Sequence, residues 1–173
     1  VSLYSNGVYL PRELSEALNK CQWVSFSIDA ATRETFKKVK GSDAFDIVIA
    51  NMRRQMDLCH STGSATFFTF RMVVLPENNH EIYDACRLAR SVGFSGFHVR
   101  PVDFERADIK GHRKLDLPID SIKEQFTMCK ELETADFKVF TVTHKFDPQF
   151  HITHEFSKCL ATPLLIPILT DGN

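Results

Sequence analysis

Closely spaced cysteines are absent from this sequence. Its five cysteines stand far apart, and no two of them form a CxxC or a similarly tight pair. Zinc sites and iron–sulfur clusters usually draw thiolate ligands from such tight spacings, so neither kind of complete metal motif is present. The count is odd and the chain opens without a secretory signal, so we expect reduced thiols in a cytoplasmic protein. The cysteines are Cys21, Cys59, Cys86, Cys129 and Cys159.

Long hydrophobic runs and an excess of charge of one sign are also lacking. No apolar run reaches the roughly 20 residues that a membrane helix requires, and the opening residues VSLYSNG lack the pattern of a signal peptide. The 21 Lys and Arg residues nearly balance the 22 Asp and Glu residues, which leaves a net charge of −1. This balance gives no electrostatic reason to expect a nucleic acid or an anionic membrane as a partner.

Apolar segments of β propensity alternate with helical patterns along the chain. Thr32 is a candidate N-cap for a short helix, and apolar residues from Phe45 to Cys59 recur at the steps of an amphipathic helix. The alternation predicts an α/β fold, a mainly parallel sheet with helices on its outer face. The predicted strands are residues 1–4, 23–28, 65–75, 96–102 and 137–142, and the predicted helices are residues 11–20, 33–40, 45–59, 81–90 and 119–132. Residues 103–117 are charged and irregular, which predicts a loop.

The number of strands predicts a partial (β/α) barrel, because five strands do not close an eight-stranded one. The chain begins within a strand and ends in a turn signature, so we expect the barrel to be truncated at its N-terminal side. We also expect the strand at residues 1–4 to be an open edge, and lumen residues such as Phe26 and Phe68, or Phe67, to be uncovered. Such a chain is expected to self-associate.

Several segments resemble, in order and spacing, consecutive parts of radical S-adenosylmethionine enzymes. They are YSNGVYL, WVSFSIDAATRETFKKVKG, FDIVIANM, FFTFRMVVLPENNHEI and LARSVGFSGFHVRPV. The most similar group carries a C-terminal SPASM extension. The resemblance is strong over residues 1–102, weak over 103–157, and resumes with CLATPLLIPILTDGN, which is similar to the opening of a SPASM domain. It implies that residues 1–157 form the C-terminal part of the radical SAM barrel and that residues 158–173 begin the extension.

The resemblance also implies a reaction. In this family a CxxxCxxC loop holds a [4Fe–4S] cluster, and the cluster cleaves S-adenosylmethionine to a 5′-deoxyadenosyl radical that abstracts hydrogen from a substrate. That loop does not occur in this sequence. We therefore expect it upstream of Val1 in the parent enzyme, and we expect the chain alone to bind neither S-adenosylmethionine nor the cluster and to be inactive. The expected substrate is a peptide or a small molecule.

Candidate cofactor-binding residues lie at the carboxyl ends of the predicted strands, where ligands bind in parallel α/β folds. Ser5 and Asn6 end the first strand and could contact the cofactor, or could simply form a turn with Gly7. Ser27 matches the strand serine that contacts the cofactor in related enzymes. Alternation places Ser25, Ser27 and Asp29 on one face, as in a polar lumen, and we interpret Asp29 as structural.

Two arginines and one cysteine complete the candidate site. Arg71 lies within an apolar strand and needs an anionic partner, either the cofactor carboxylate or Asp29. Arg100 shares a face with His98 and could bind cofactor or substrate, or pair with Asp103. Cys159 resembles the first auxiliary-cluster ligand of a SPASM domain; the alternative is a lone buried thiol. The remaining candidates, interpreted as solvated loop residues, are His144, His151 and His154.

Two other functions remain open from the sequence. A different (β/α) barrel enzyme that binds phosphate would require a glycine-rich loop late in the chain. Gly172 stands in a turn signature instead, and the stretch after Val102 contains only Gly111. The other alternative is a non-catalytic interaction domain, which the balanced charge neither favours nor excludes.

Overall fold

The computed structural model describes residues 1–101 and 117–143. Neighbouring strands pair in parallel throughout, and the sheet order β1-β2-β3-β4-β5 follows the chain. The predicted α/β fold with a parallel sheet is therefore confirmed, and the five described strands do not close into a barrel. The elements are β1 (Ser2–Ser5), α1 (Arg12–Leu18), β2 (Trp23–Ser27), α2 (Arg33–Lys40), α3 (Phe45–Thr62), β3 (Phe67–Val74), a 3-10 turn (Asn79–Glu81), α4 (Ile82–Val92), β4 (Gly96–Pro101), α5 (Ile119–Glu131) and β5 (Lys138–Thr141).

Local sequence signals determine where several helices begin and end. The Thr32 hydroxyl accepts a hydrogen bond from the Thr35 N–H at 3.3 Å, which confirms the predicted N-cap of α2. Gly63 ends α3 with a φ of 62°, a left-handed conformation that glycine adopts without steric cost. None of the described helices is long and apolar enough to cross a membrane. The loop predicted at 103–117, apart from its last residue, and the extension at 158–173 lie outside the described residues.

The hydrophobic core lies against one face of the sheet. Register places Phe26, Phe70 and Phe97 side by side on β2, β3 and β4, and all three are fully buried. The ring of Phe94, which follows α4, contacts Phe26 and Phe70 at centroid distances of 6.3 and 5.7 Å. These side chains form the core between the strands and the helices, and α3 and α4 complete it with buried apolar residues of their own.

The expectation that Phe26 and Phe68 line the lumen is wrong. Both are fully buried on the core face, and their rings stack at a centroid distance of 6.2 Å. Phe67 is the residue of this group that lies on the opposite face, where its register partner is Trp23. A continuous apolar run does not show which alternate residues face the core, because both faces carry apolar side chains.

The opposite face, called here the open face, changes character along the strands. At the amino end it is aromatic, with Trp23 beside Phe67; the Phe67 ring lies over Gly96, where a Cβ atom would come within 3.1 Å of Cζ. Towards the carboxyl end it becomes polar and cationic. Residues of this face that pair across neighbouring strands form four rows. From the amino to the carboxyl end, the rows are Ser2, Trp23, Phe67; Tyr4, Ser25, Thr69, Gly96, Lys138; Ser27, Arg71, His98, Phe140; and Val73, Arg100.

Replacing Phe70 by Ala is expected to destabilise the fold strongly. Phe70 is fully buried and contacts the rings of both Phe94 and Phe97 at 5.7 Å, so the substitution leaves a cavity that its neighbours cannot fill. We expect the free energy of unfolding to fall by about 3–5 kcal/mol, measured by urea denaturation. Phe140→Ala is the matched control on the half-exposed open face, and a loss as large there would contradict the assignment of the core.

Self-association remains a prediction, and β1 is the element that tests it. In the described residues β1 pairs on one side with β2, and Ser2 and Tyr4 are exposed. A lysine on an edge strand opposes edge-to-edge pairing. We expect the unaltered chain to scatter light as an oligomer at micromolar concentration and Ser2→Lys to shift it towards the monomer. Ser121→Lys, which adds the same charge on exposed α5, should have no effect; a monomeric unaltered chain would contradict the prediction.

Candidate functional site

Parallel register brings three polar side chains into one row at the carboxyl half of the open face. Ser27 pairs with Arg71, and Arg71 pairs with His98. Arg100 follows two residues later on the same face of β4, beside Val73. The structure therefore places Ser27, Arg71 and Arg100 on one face of three adjacent central strands.

Arg71 is the most informative residue of this row. Its guanidinium lies over the ring of Tyr4, 4.7 Å from the centroid, which is a cation–π contact. Its Nε is buried and has no hydrogen-bond partner among the described residues. The alternative partner Asp29 is wrong, because that carboxylate instead accepts from the Val73 N–H at 2.7 Å and pairs with Lys40. The guanidinium thus has donor capacity free for an anion.

Arg100 and His98 add positive potential beside Arg71. The Nε of Arg100 is also buried without a partner in the described part of the chain; Asp103, its alternative partner, lies outside that part. Burial, and then the charges of Arg71 and Arg100, lower the pKa of His98 below its ordinary value. His98 is therefore neutral near pH 7, and the charged groups that act on it are both cations.

Hydroxyl groups lie next to the arginine. The Ser25 hydroxyl is fully buried and has no hydrogen-bond partner among the described residues, whereas the Thr69 hydroxyl donates to the Val24 carbonyl at 3.3 Å. Ser27 is half-buried and directly in register with Arg71. The arrangement can donate hydrogen bonds to a ligand that combines an anionic group with hydroxyl or ether oxygens.

Ser5 and Asn6 are not brought into this row. Ser5 shares its register position with Phe26 on the core face, and its Oγ accepts from the Gly7 N–H at 3.1 Å. The Asn6 Oδ1 accepts from the Val8 N–H at 3.1 Å. Both side chains thus stabilise the turn at Gly7, whose φ is 70°. The turn that the sequence left as the alternative is the arrangement the structure has.

The sequence reasoning missed a role for Tyr4, and it noted His98 and Ser25 without assigning them one. Alternation within β2 already grouped Ser25 with Ser27, so that signal was available. The contact between Tyr4 and Arg71 depends on the register between three strands, which a single strand pattern does not contain. Cys159 lies outside the described residues, and within them no group of three His, Cys, Asp or Glu side chains is placed to hold a metal ion.

Curated relatives align with most of this chain. The probable GTP 3',8-cyclase of Saccharolobus islandicus strain L.S.2.15 is 28% identical over 143 residues, which cover 80% of this chain and 44% of that protein. The probable GTP 3',8-cyclase of Saccharolobus solfataricus strain P2 is 27% identical over 143 residues, with the same shares. The chain thus spans less than half the length of the curated relatives it matches.

The fold also has a solved counterpart. Streptococcus suis SuiB aligns with a TM-score of 0.61 and 14% identity, covering 90% of this chain and 36% of that protein. At this identity the likeness shows the fold alone, and it agrees with an unclosed, barrel-like α/β architecture. No family model matches the sequence.

These relatives and this fold support the radical S-adenosylmethionine superfamily that the sequence segments resemble. The resemblance carried by the sequence segments is confirmed at this level, whereas the SPASM-type assignment remains a prediction. In a whole enzyme of this superfamily, S-adenosylmethionine and an iron–sulfur cluster would be the cofactors. The described residues fit S-adenosylmethionine, because the Arg71 Nε and the Ser25 hydroxyl are buried without a hydrogen-bond partner in the described part of the chain and lie on the same face of the sheet as Ser27. They do not fit the cluster, for which they offer no ligand set.

The cationic neighbourhood of His98 gives a testable electrostatic prediction. Arg71→Gln removes one of the two charges that lower the pKa of His98, so that pKa should rise towards about 6.5. The imidazole NMR signals titrated against pH measure it. Arg87→Gln, on the exposed side of α4, is the matched control and should leave the pKa of His98 unchanged. No change with Arg71→Gln would show that the two side chains do not interact.

The same shift fixes the direction of a pH effect on stability. A lowered folded-state pKa means that the unfolded chain binds the His98 proton more readily. His98 therefore contributes stability that is fully present above its unfolded pKa of about 6.5 and is lost as the pH falls from there through its folded pKa. Glu81 acts in the same direction at lower pH: burial alone would raise its pKa, but hydrogen bonds from Thr32, Ala31 and Thr35 lower it.

Proposed function

We propose that the carboxyl half of the open face binds S-adenosylmethionine in a radical SAM enzyme, with Arg71 on its carboxylate and Ser27 on a hydroxyl of its ribose. The observation that carries the proposal is the half-buried guanidinium of Arg71, whose buried Nε has no partner among the described residues. It stands in register with Ser27 and lies against Tyr4.

Desolvation of the Arg71 guanidinium favours an anionic ligand. Burying part of a cation without an anionic partner is costly, so such a residue usually marks a place where an anion binds. A cation–π contact offsets some of that cost but fills none of the N–H donors. In open parallel sheets ligands bind beyond the carboxyl ends of the strands, and Ser27 stands at the end of β2, with Arg71 beside it in register.

The residues of this chain bind and orient rather than react. With the cluster, bound S-adenosylmethionine would supply a 5′-deoxyadenosyl radical for hydrogen abstraction. Arg71 would hold the anionic end of the cofactor, and Ser27 would fix the nucleoside end. The aromatic residues Trp23 and Phe67 at the other end of the open face would exclude water. The sequence led us to expect no cofactor on the chain alone, but the buried Nε of Arg71, which has no partner among the described residues, leads us to propose that the chain binds S-adenosylmethionine. It would not react the cofactor, because the described residues offer no cluster ligands.

The substrate and the extension belong to the same proposal. We propose a peptide or small-molecule substrate, and the name of the curated relatives points to a nucleotide as the small-molecule case. Arg100 would face substrate or cofactor from β4. Residues 158–173 would begin a SPASM-like extension with Cys159 as an auxiliary-cluster ligand. We propose a cytoplasmic enzyme, because the four cysteines of the described residues are free thiols.

Calorimetric titration with S-adenosylmethionine tests the proposed site. Removing a hydrogen bond to a charged group costs about 1.5–3 kcal/mol, so Arg71→Gln should weaken binding by about tenfold or more. Ser27→Ala removes a neutral partner and should weaken binding by about fivefold. Arg87→Gln is the control for loss of a surface charge. Absence of binding by the unaltered chain, or equal binding by Arg71→Gln, would refute the proposal.

A further inference from the structure

The pairing between β2 and β3 stops next to Ser27 and Arg71, which together are called here the anion site. The last register pair is Ser27 with Arg71, and beyond it the N–H groups of Ile28 and Asp29 both donate to the Arg71 carbonyl, at 3.2 and 3.4 Å. β3 continues to Val74 and stays paired with β4. Past Arg71, therefore, β3 has lost its β2 ladder, and the backbone of Val73 needs other partners on that side.

Two buried side chains replace the missing ladder. The Asp29 carboxylate accepts from the Val73 N–H at 2.7 Å, and the Asn78 amide nitrogen donates to the Val73 carbonyl at 2.9 Å. The same amide nitrogen donates to the Asp29 carbonyl at 2.8 Å, and its oxygen accepts from the Leu75 N–H at 2.7 Å. Asp29 and Asn78 thus hold the end of β2 at a fixed separation from β3.

Asp29 adopts a backbone conformation that requires support. Its φ is 60°, and it is the sole non-glycine residue with positive φ within residues 1–101 and 117–143. Such left-handed residues persist where the surroundings determine them, and they concentrate at ligand sites. Its side chain is 8% exposed and pairs with Lys40 at the end of α2, which compensates the buried charge.

We propose that Asp29 is a positioning residue for the anion site: its carboxylate fixes the end of β2 to Val73 and so sets Ser27 and Arg71 at the separation that one ligand can bridge. This inference rests on the proposed cofactor site, and it gives the turn after β2 a role in shaping that site. Ser27 lies two residues before Asp29, and Arg71 lies two residues before Val73. The hydrogen bond between Asp29 and Val73 therefore joins the end of β2 to β3 just beyond the two proposed cofactor-binding residues.

A neighbouring carboxylate supplies the matched control. Glu81 is buried and accepts from the Ala31 N–H and from the hydroxyls of Thr32 and Thr35, at 2.6 to 2.8 Å. It joins the start of α2 to the 3-10 turn, and none of its hydrogen-bond partners lies in β2 or β3. Glu81→Gln should therefore lower stability without altering the geometry between Ser27 and Arg71.

Two Asp29 variants separate positioning from folding. Asp29→Gly keeps the left-handed backbone at no steric cost but removes the acceptor, whereas Asp29→Asn keeps an acceptor for the Val73 N–H and loses the charge. We expect Asp29→Gly to bind S-adenosylmethionine about tenfold more weakly and Asp29→Asn within about twofold of the unaltered chain. Glu81→Gln should lower the melting temperature and leave the dissociation constant unchanged.

A second measurement needs no ligand. If Asp29 holds Arg71 in place, Asp29→Gly should raise the pKa of His98, because the guanidinium would no longer act on the imidazole from a fixed position. Asp29→Asn and Glu81→Gln should leave that pKa as it is. NMR titration of the His98 signals in all four proteins provides the comparison.

The two measurements distinguish the ways in which the idea could fail. An unaltered chain that binds no S-adenosylmethionine, with the pKa of His98 raised in Asp29→Gly, would refute the cofactor site and leave the positioning role standing. Unchanged affinity and unchanged His98 pKa in Asp29→Gly would overturn the positioning role. Should that variant not fold, Asp29→Ser replaces it, since its shorter side chain does not reach the Val73 N–H and the same outcomes decide.

Discussion

The register between β2 and β3 is the constraint on which the rest of the site depends. Because Ser27 pairs with Arg71, alternate residues of both strands face the same side, and the core face receives Phe26 and Phe70. A shift by one residue would exchange the two sets, placing the guanidinium in the core and the phenyl rings on the open face. The burial of aromatic rings therefore fixes the position of the arginine, and the core and the candidate site are one arrangement.

That arrangement also explains why an arginine is tolerated in an apolar strand. Its immediate neighbours along β3, Phe70 and Met72, are fully buried on the core face, so Arg71 itself projects away from the helices. On the open face the Tyr4 ring covers it and Ser27 stands beside it. A partly desolvated guanidinium interacts more strongly with an anion than one in water, since the effective dielectric constant is lower there.

Much of the fold follows from local patterns, and the parts that do not are set by contacts between distant segments. The Thr32 cap, the end of α3 at Gly63 and the alternation of Ser25 with Ser27 could all be predicted from neighbouring residues. The faces on which Phe67 and Phe68 lie could not be predicted, because a strand that is apolar on both faces does not show which alternate residues point to the core. For Ser5 and Asn6 the sequence left two uses open, and the structure shows the turn, because the Ser5 hydroxyl and the Asn6 amide oxygen accept from the N–H groups of Gly7 and Val8.

Asp29 shows most clearly why neighbouring residues in the sequence are not enough to predict the role of a side chain. A carboxylate after a strand suggests a helix cap, yet Thr32 provides the cap of α2, and Asp29 reaches Val73 across the sheet. Its partners Lys40, Val73 and Asn78 come from three separate elements or turns, and no periodicity links them. The consequence is that the open face depends on residues outside it. The buried aromatic rings determine that Arg71 lies on this face, and the hydrogen bond from the Val73 N–H to the Asp29 carboxylate would hold it at its separation from Ser27.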